Sequence, residues 1–156
     1  MRSNFHSAIM NLRELEGFED NDPDDPGGET RYGVSRHYHP EMWLDGKPPT
    51  WEQAREFYLK LWIAAGCDAL PFPVDCLHFD ASVNPGPGAA TRMLHDSGEH
   101  ADPYHRATEY AVLRLRYYLA AVRKRPVALK YLAGWSDRTL DFMERTILTS
   151  WSLAGK

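Results

Sequence analysis

Glu16 follows Leu12 by four residues, and Phe5, Ile9 and Leu12 recur at spacings of four and three. That period predicts a helix over residues 4–17, with Asn4 as its cap and Gly17 as its stop. In such a helix Glu16 shares the apolar face, whereas Glu14 does not. Partial burial disfavours a charged carboxylate and raises its pKa. A carboxyl group of that kind is suited to act as a general acid near neutral pH. Periodicity alone leaves a second reading open, in which the helix ends a turn earlier and Glu16 is solvated.

The next stretch supplies partners for it. DNDPDDPGG, residues 20–28, cannot easily be helix or central strand, and 18–31 is expected to be a loop or short hairpin. Asp22, Asp25 and Glu29 are placed to face Glu16 across a cleft, with Thr30 orienting a water. Gly27-Gly28 lets the loop turn back tightly. Two carboxylates flanking a glycosidic bond are the usual equipment of glycoside hydrolysis. The bland alternative is a solvated acidic turn. An EF-hand does not fit. Counted from Asp20, Asp25 stands where glycine is needed and Arg31 where glutamate is needed. Counted from Asp22, Pro26 and Gly33 fall on ligand positions. Neither a metal nor a cofactor is expected.

Other groups of polar residues point to packing or to surface. His37 and His39 lie near Glu41 without an HExxH or CxxC, and read as a surface loop. His78, Asp80 and Ser82 lack a GxSxG elbow and read as core or cleft packing. Arg114, Arg116, Arg123, Lys124 and Arg125 read as a solvated helix face and end, where positive charge is favourable. No nucleic-acid module accompanies them. Cys67 and Cys76 read as two buried free thiols.

The elements that would carry these groups are mostly helices. Thr50 is expected to cap a helix over 51–65, with Glu52 at N2 leaving the capping box imperfect, and Ala54, Phe57, Tyr58, Leu61 and Trp62 on one side. Further helices are expected over 74–83, 88–96, 103–121, 126–134 and 136–151, the long one carrying Tyr110, Leu113, Tyr117 and Ala121 as its stripe. Thr30–Ser35 reads as a short extended run. Asn84-Pro85-Gly86-Pro87-Gly88 is a sharp break. The expected class is mainly α, with a small irregular or β-hairpin N-terminal lobe beside a helical lobe. Residues 1–84 and 85–156 would be two parts of one compact domain. A chain of 156 residues, 43% hydrophobic and 26% charged, is globular in composition. Its net charge of −4 excludes a strong overall pull toward nucleic acid or membrane. No segment is long and apolar enough to span a bilayer, and no signal peptide is expected. A monomer is expected.

ELEGFEDNDPDDPGGETRYGVS, residues 14–35, resembles the opening motif of the family 108 glycoside hydrolases, the phage-type N-acetylmuramidases. Glu16-Gly17-Phe18, the run from Asn21 to Thr30, and Gly33-Val34-Ser35 carry the likeness. Ala54, Tyr58 and Trp62 resemble the family's aromatic helix. CDALPFPVDCLHFDASVNPGPGAA resembles its C-D-x-L-P … F-D-x-A-V-N segment, with Ser82 in place of an alanine. Phe18 departs from the second glycine usual there.

The resemblance implies a lysozyme-like fold that cleaves between N-acetylmuramic acid and N-acetylglucosamine. It implies Glu16 as the catalytic acid, and Asp25 with Thr30 as its helpers by analogy to phage lysozymes. Asp22 is the rival for the second carboxylate. Asp22, Tyr32 and Asn84 are the expected substrate contacts, and peptidoglycan strands the expected partner. It implies a protein held in the cytoplasm until released to the wall. A lytic transglycosylase and a non-catalytic wall-binding module are the competing expectations.

Overall fold

The computed structural model describes residues 2–16, 19–20 and 28–148. Arg2–Ala64 form one compact unit, and the chain from Ala65 onward forms another. The class is mainly α and lysozyme-like, with a small antiparallel β element in the N-terminal unit.

In the N-terminal unit, α1 spans Arg2–Glu16. Asn4 therefore lies inside the helix rather than capping it. Gly17, the expected stop, lies outside the described residues. Phe5, Ala8, Ile9 and Leu12 form the buried stripe. The Phe5 ring meets Trp62 edge-on at 5.6 Å, which ties α1 to α2, Trp51–Ala64. The burial of Ala54, Tyr58 and Trp62 follows from their spacing of four, which keeps them on one face. Phe57 and Leu61, expected beside them, are only half-buried.

The cap of α2 is better than expected. The Gln53 backbone N–H donates to Thr50 Oγ1 at 3.3 Å, and the Thr50 N–H donates back to Gln53 Oε1 at 2.8 Å. Gln53 at N3 thus completes the capping box that Glu52 at N2 does not.

Three short strands make the β element. β1 is Glu19–Asp20, β2 Thr30–Arg31 and β3 Val34–Ser35, in the order β1-β2-β3. Thr30–Ser35 is thus a tight hairpin rather than one extended run. Its two-residue turn has φ of 52° at Tyr32 and 74° at Gly33. Positive φ at both central residues is the mark of a type I′ turn, whose twist matches paired strands.

In the second unit, α3 (Val74–Val83) is buried from Val74 to Ser82 and forms the core. Around it pack α4 (Pro87–Asp96) and α5 (Pro103–Lys124), and α6 (Leu129–Met143) packs on α5, continuing as a π-helical turn over Glu144–Leu148. The two helices expected over 126–134 and 136–151 are one, preceded by a 3-10 turn at Pro126–Ala128. Gly134 sits within it without breaking it, because a single glycine costs only about 1 kcal/mol there. The buried stripe of α5 is Ala107, Tyr110, Ala111, Arg114 and Tyr118. Tyr117, expected inside, is 36% exposed.

Candidate active site

Glu16 is the last residue of α1, one turn past the buried Leu12. The helix therefore does not end a turn earlier, and its backbone keeps Glu16 in register with the apolar stripe. After it the chain enters β1, where Asp20 pairs with Thr30 and Glu19 with Arg31. Four residues of chain reach at most about 14 Å. Thr30 thus stands one strand spacing beyond a residue that is tethered this closely to Glu16. Asp22 and Asp25 lie outside the described residues.

The hairpin turn is fastened from below. Tyr58 Oη, from the buried face of α2, donates to the Tyr32 carbonyl at 2.9 Å. The Tyr32 ring meets Trp51 edge-on at 5.5 Å, and the Arg31 guanidinium lies over it at 4.9 Å. Tyr32 and Trp51 are both half-exposed, so they form an aromatic shelf on the same unit as Glu16 and Thr30. At the exit of β3, Ser35 Oγ accepts from the backbone N–H groups of His37 and Tyr38, each at 3.2 Å. Arg36 closes the hairpin base through Glu29 at 3.0 Å. His37 is exposed, while His39 rests on the Phe57 ring at 4.6 Å with Nδ1 3.2 Å from Glu41.

Asn84 belongs to the second unit, at the C-terminal end of α3. It is exposed, and its Oδ1 accepts from Tyr118 Oη at 2.8 Å. Tyr118 Oη in turn accepts from Arg114 Nε at 2.7 Å. Arg114 Nη1 stands 2.6 Å from Asp80 Oδ2, close but not aligned as a hydrogen bond, and Nη2 has no hydrogen-bond partner among the described residues. Arg138 grips the same carboxylate, Nη2 to Oδ1 at 2.7 Å and Nε to Oδ1 at 3.1 Å.

Burial alone would raise the Asp80 carboxyl. Arg138 and Arg114 together overcome that and hold it below the ordinary carboxylate range. Arg114 is thus no part of a solvated face. It is wholly buried, and its pairing with Asp80 was not visible in the basic run. One signal for it existed: Tyr110, Arg114 and Tyr118 are spaced by four, so the arginine shares a face with two aromatics.

His78 and Ser82 are packing residues, as expected. His78 Nδ1 is 3.1 Å from Tyr110 Oη, and Ser82 Oγ donates to the His78 carbonyl at 2.7 Å, so the serine is spent on its own helix. Burial pushes the His78 imidazole below its usual range. Cys67 and Cys76 are buried and not joined in a disulfide, and desolvation pushes the Cys67 thiol up to about 12.

Residues 9–86, half of the chain, match the family model described as Glycosyl hydrolase 108. Among solved structures, that of Brucella abortus SagA superposes with a TM-score of 0.65 at 22% identity, covering 91% of this chain and 97% of that one. That likeness speaks for the fold. No curated protein matches the chain.

Proposed function

This chain belongs to the glycosyl hydrolase 108 family, and from that premise we propose that it is an N-acetylmuramidase. It hydrolyses the β-1,4 bond between N-acetylmuramic acid and N-acetylglucosamine in peptidoglycan. The observation that carries this reading is the position of Glu16, at the end of α1 and in line with its buried stripe. The general acid of such a hydrolysis is a carboxyl group that, where it loses hydration, holds its proton to higher pH and delivers it to the glycosidic oxygen. Asp25 positions water or stabilises the oxocarbenium-like charge, with Asp22 as the alternative carboxylate and Thr30 assisting. Tyr32 with Trp51 offers a ring face to a sugar. No helix among the described residues is long and apolar enough to cross a membrane.

The test is hydrolysis of purified cell walls. Glu16→Gln keeps the shape of the side chain and removes the transferable proton. We expect release of reducing sugar to fall roughly 100- to 10,000-fold, with the circular dichroism spectrum unchanged. Undiminished release would sink the assignment. In the same assay Asp25→Asn is expected to slow turnover more than Asp22→Asn, and the reverse order would make Asp22 the second carboxylate. Mass spectrometry of the fragments distinguishes hydrolysis, which leaves a reducing muramic acid end, from transglycosylation, which leaves a 1,6-anhydro end.

A further inference from the structure

Away from the N-terminal unit, two histidines and a glutamate converge at the start of α5. α4 ends at Asp96, and Ser97 and Gly98 reverse the chain, Gly98 with φ of 65°. His100 lies in the short link that follows. Asp102 then caps α5 by accepting from the Tyr104 N–H at 3.0 Å. One turn apart on α5 stand His105 and Glu109.

His100 Nε2 is 2.8 Å from Glu109 Oε2, and His105 Nε2 is 3.6 Å from Glu109 Oε1. The three potential ligand atoms all lie within 4.8 Å of one another. The two imidazole rings stack at 4.4 Å with 11° between their planes. The side chains are 28%, 59% and 46% exposed for His100, His105 and Glu109, which leaves the cluster open to an ion from solvent.

We propose that His100, His105 and Glu109 form a binding site for a divalent transition-metal ion, of which Zn2+ fits best. Ligand chemistry chooses the ion. Two imidazole nitrogens exclude Mg2+ and Ca2+, which take oxygen, and a set of two imidazoles and one carboxylate is one that zinc accepts. Tetrahedral zinc with bonds of about 2.0–2.1 Å puts neighbouring ligand atoms about 3.3 Å apart. The two histidine nitrogens approach the two different Glu109 oxygens at 2.8 and 3.6 Å, and all three ligand atoms lie within 4.8 Å of one another, so closing the shell on one ion calls for rotation of these exposed side chains.

The frame is already fixed. Arg106 Nη2 donates to the Leu94 carbonyl at 3.1 Å and its Nε to Ser97 Oγ at 3.4 Å, which lashes α5 to the end of α4. The link bearing His100 is therefore held at both ends, and little ordering remains for the metal to impose. His105 and Glu109 also line a cavity of about 330 Å3 that reaches Asp96 and Arg116. A fourth coordination position facing this cavity would take water or an anionic group. Asp96 offers a carboxylate nearby, while Arg116 provides a counter-charge for an anion bound to the metal.

The test titrates Zn2+ into the full chain by calorimetry, with excess Mg2+ present to occupy oxygen-only sites. One equivalent is expected to bind in the micromolar range. His105→Ala and Glu109→Gln should each weaken it by at least roughly 10- to 100-fold. His37→Ala with His39→Ala should leave it unchanged, as should Glu16→Gln. Co2+ in place of zinc should give the visible absorption of a tetrahedral site with nitrogen ligands. No saturable binding, binding indifferent to His105→Ala, or binding lost with His37 and His39 would each overturn the site. His37, His105 and Glu109 are exposed side chains, and the circular dichroism spectrum of each variant checks that the fold persists.

Discussion

Tyr32 is a bulky residue in a left-handed conformation, with φ of 52°. Such a conformation costs a non-glycine residue about 1–2 kcal/mol, and here it is sustained by the Tyr58 hydrogen bond and the Trp51 ring. Asparagine adopts the same backbone more readily. Tyr32→Asn is therefore expected to change stability by less than about 1 kcal/mol while raising KM for wall fragments and sparing kcat. A variant with unchanged KM would remove the ring from the substrate contacts. The sequence marks Tyr32 only as an aromatic beside an acidic stretch. Its strain depends on a hydrogen bond to a residue 26 positions away, which no local pattern contains. Arg114 misled for a related reason: a charge in a basic run reads as solvated until the carboxylate that neutralises it is found on another helix.

At the scale of elements, periodicity identified α2, α3 and α4 nearly to their ends, because each carries a clear face or a sharp proline-glycine boundary. It placed Glu16 on α1 for the same reason. It failed at α6, which it divided into two helices next to Gly134. Tertiary packing overrides so small a propensity. That failure yields a prediction. A Cβ at Gly134 would meet nothing within 4 Å, and the residue is helical. Gly134→Ala should stabilise the protein by about 0.5–1 kcal/mol, seen as a raised urea midpoint with an unchanged slope. A lowered midpoint would mean that α6 needs the glycine's freedom.

For the molecule as a whole, charge is partly turned inward. Residues 106–145 carry nine bases against four acids, yet Arg114 and Arg138 spend their charge on Asp80 and join α3, α5 and α6. This makes stability depend on acid in two stages. Burial lowers the His78 pKa from 6.5, so as pH falls below that value the unfolded chain takes the proton first and stability begins to drop. The arginines lower the Asp80 pKa from 3.8, so its contribution is complete above that value and is lost as pH falls through the folded pKa. Urea unfolding from pH 7 to pH 3 should show both declines. Asp80→Asn should abolish the second and cost about 3–5 kcal/mol at neutral pH, because two buried guanidiniums lose their counter-ion. A flat profile in the parent protein would contradict the coupling.

The pairing of Asp20 with Thr30 has a consequence for how such a protein can vary. It makes the residues between them an insert whose two ends are fixed by the hairpin, so added length does not move Thr30 or the helix that ends at Glu16. Doubling such a loop costs only about 0.6 kcal/mol in closure entropy. Under the proposed chemistry, the spacing between the two carboxylates becomes adjustable by insertion or deletion alone. That spacing decides whether a water fits between them or the second carboxylate reaches the sugar itself, and hence the stereochemical outcome. Chain length in one loop would then change the course of the reaction while every helix stays as it is.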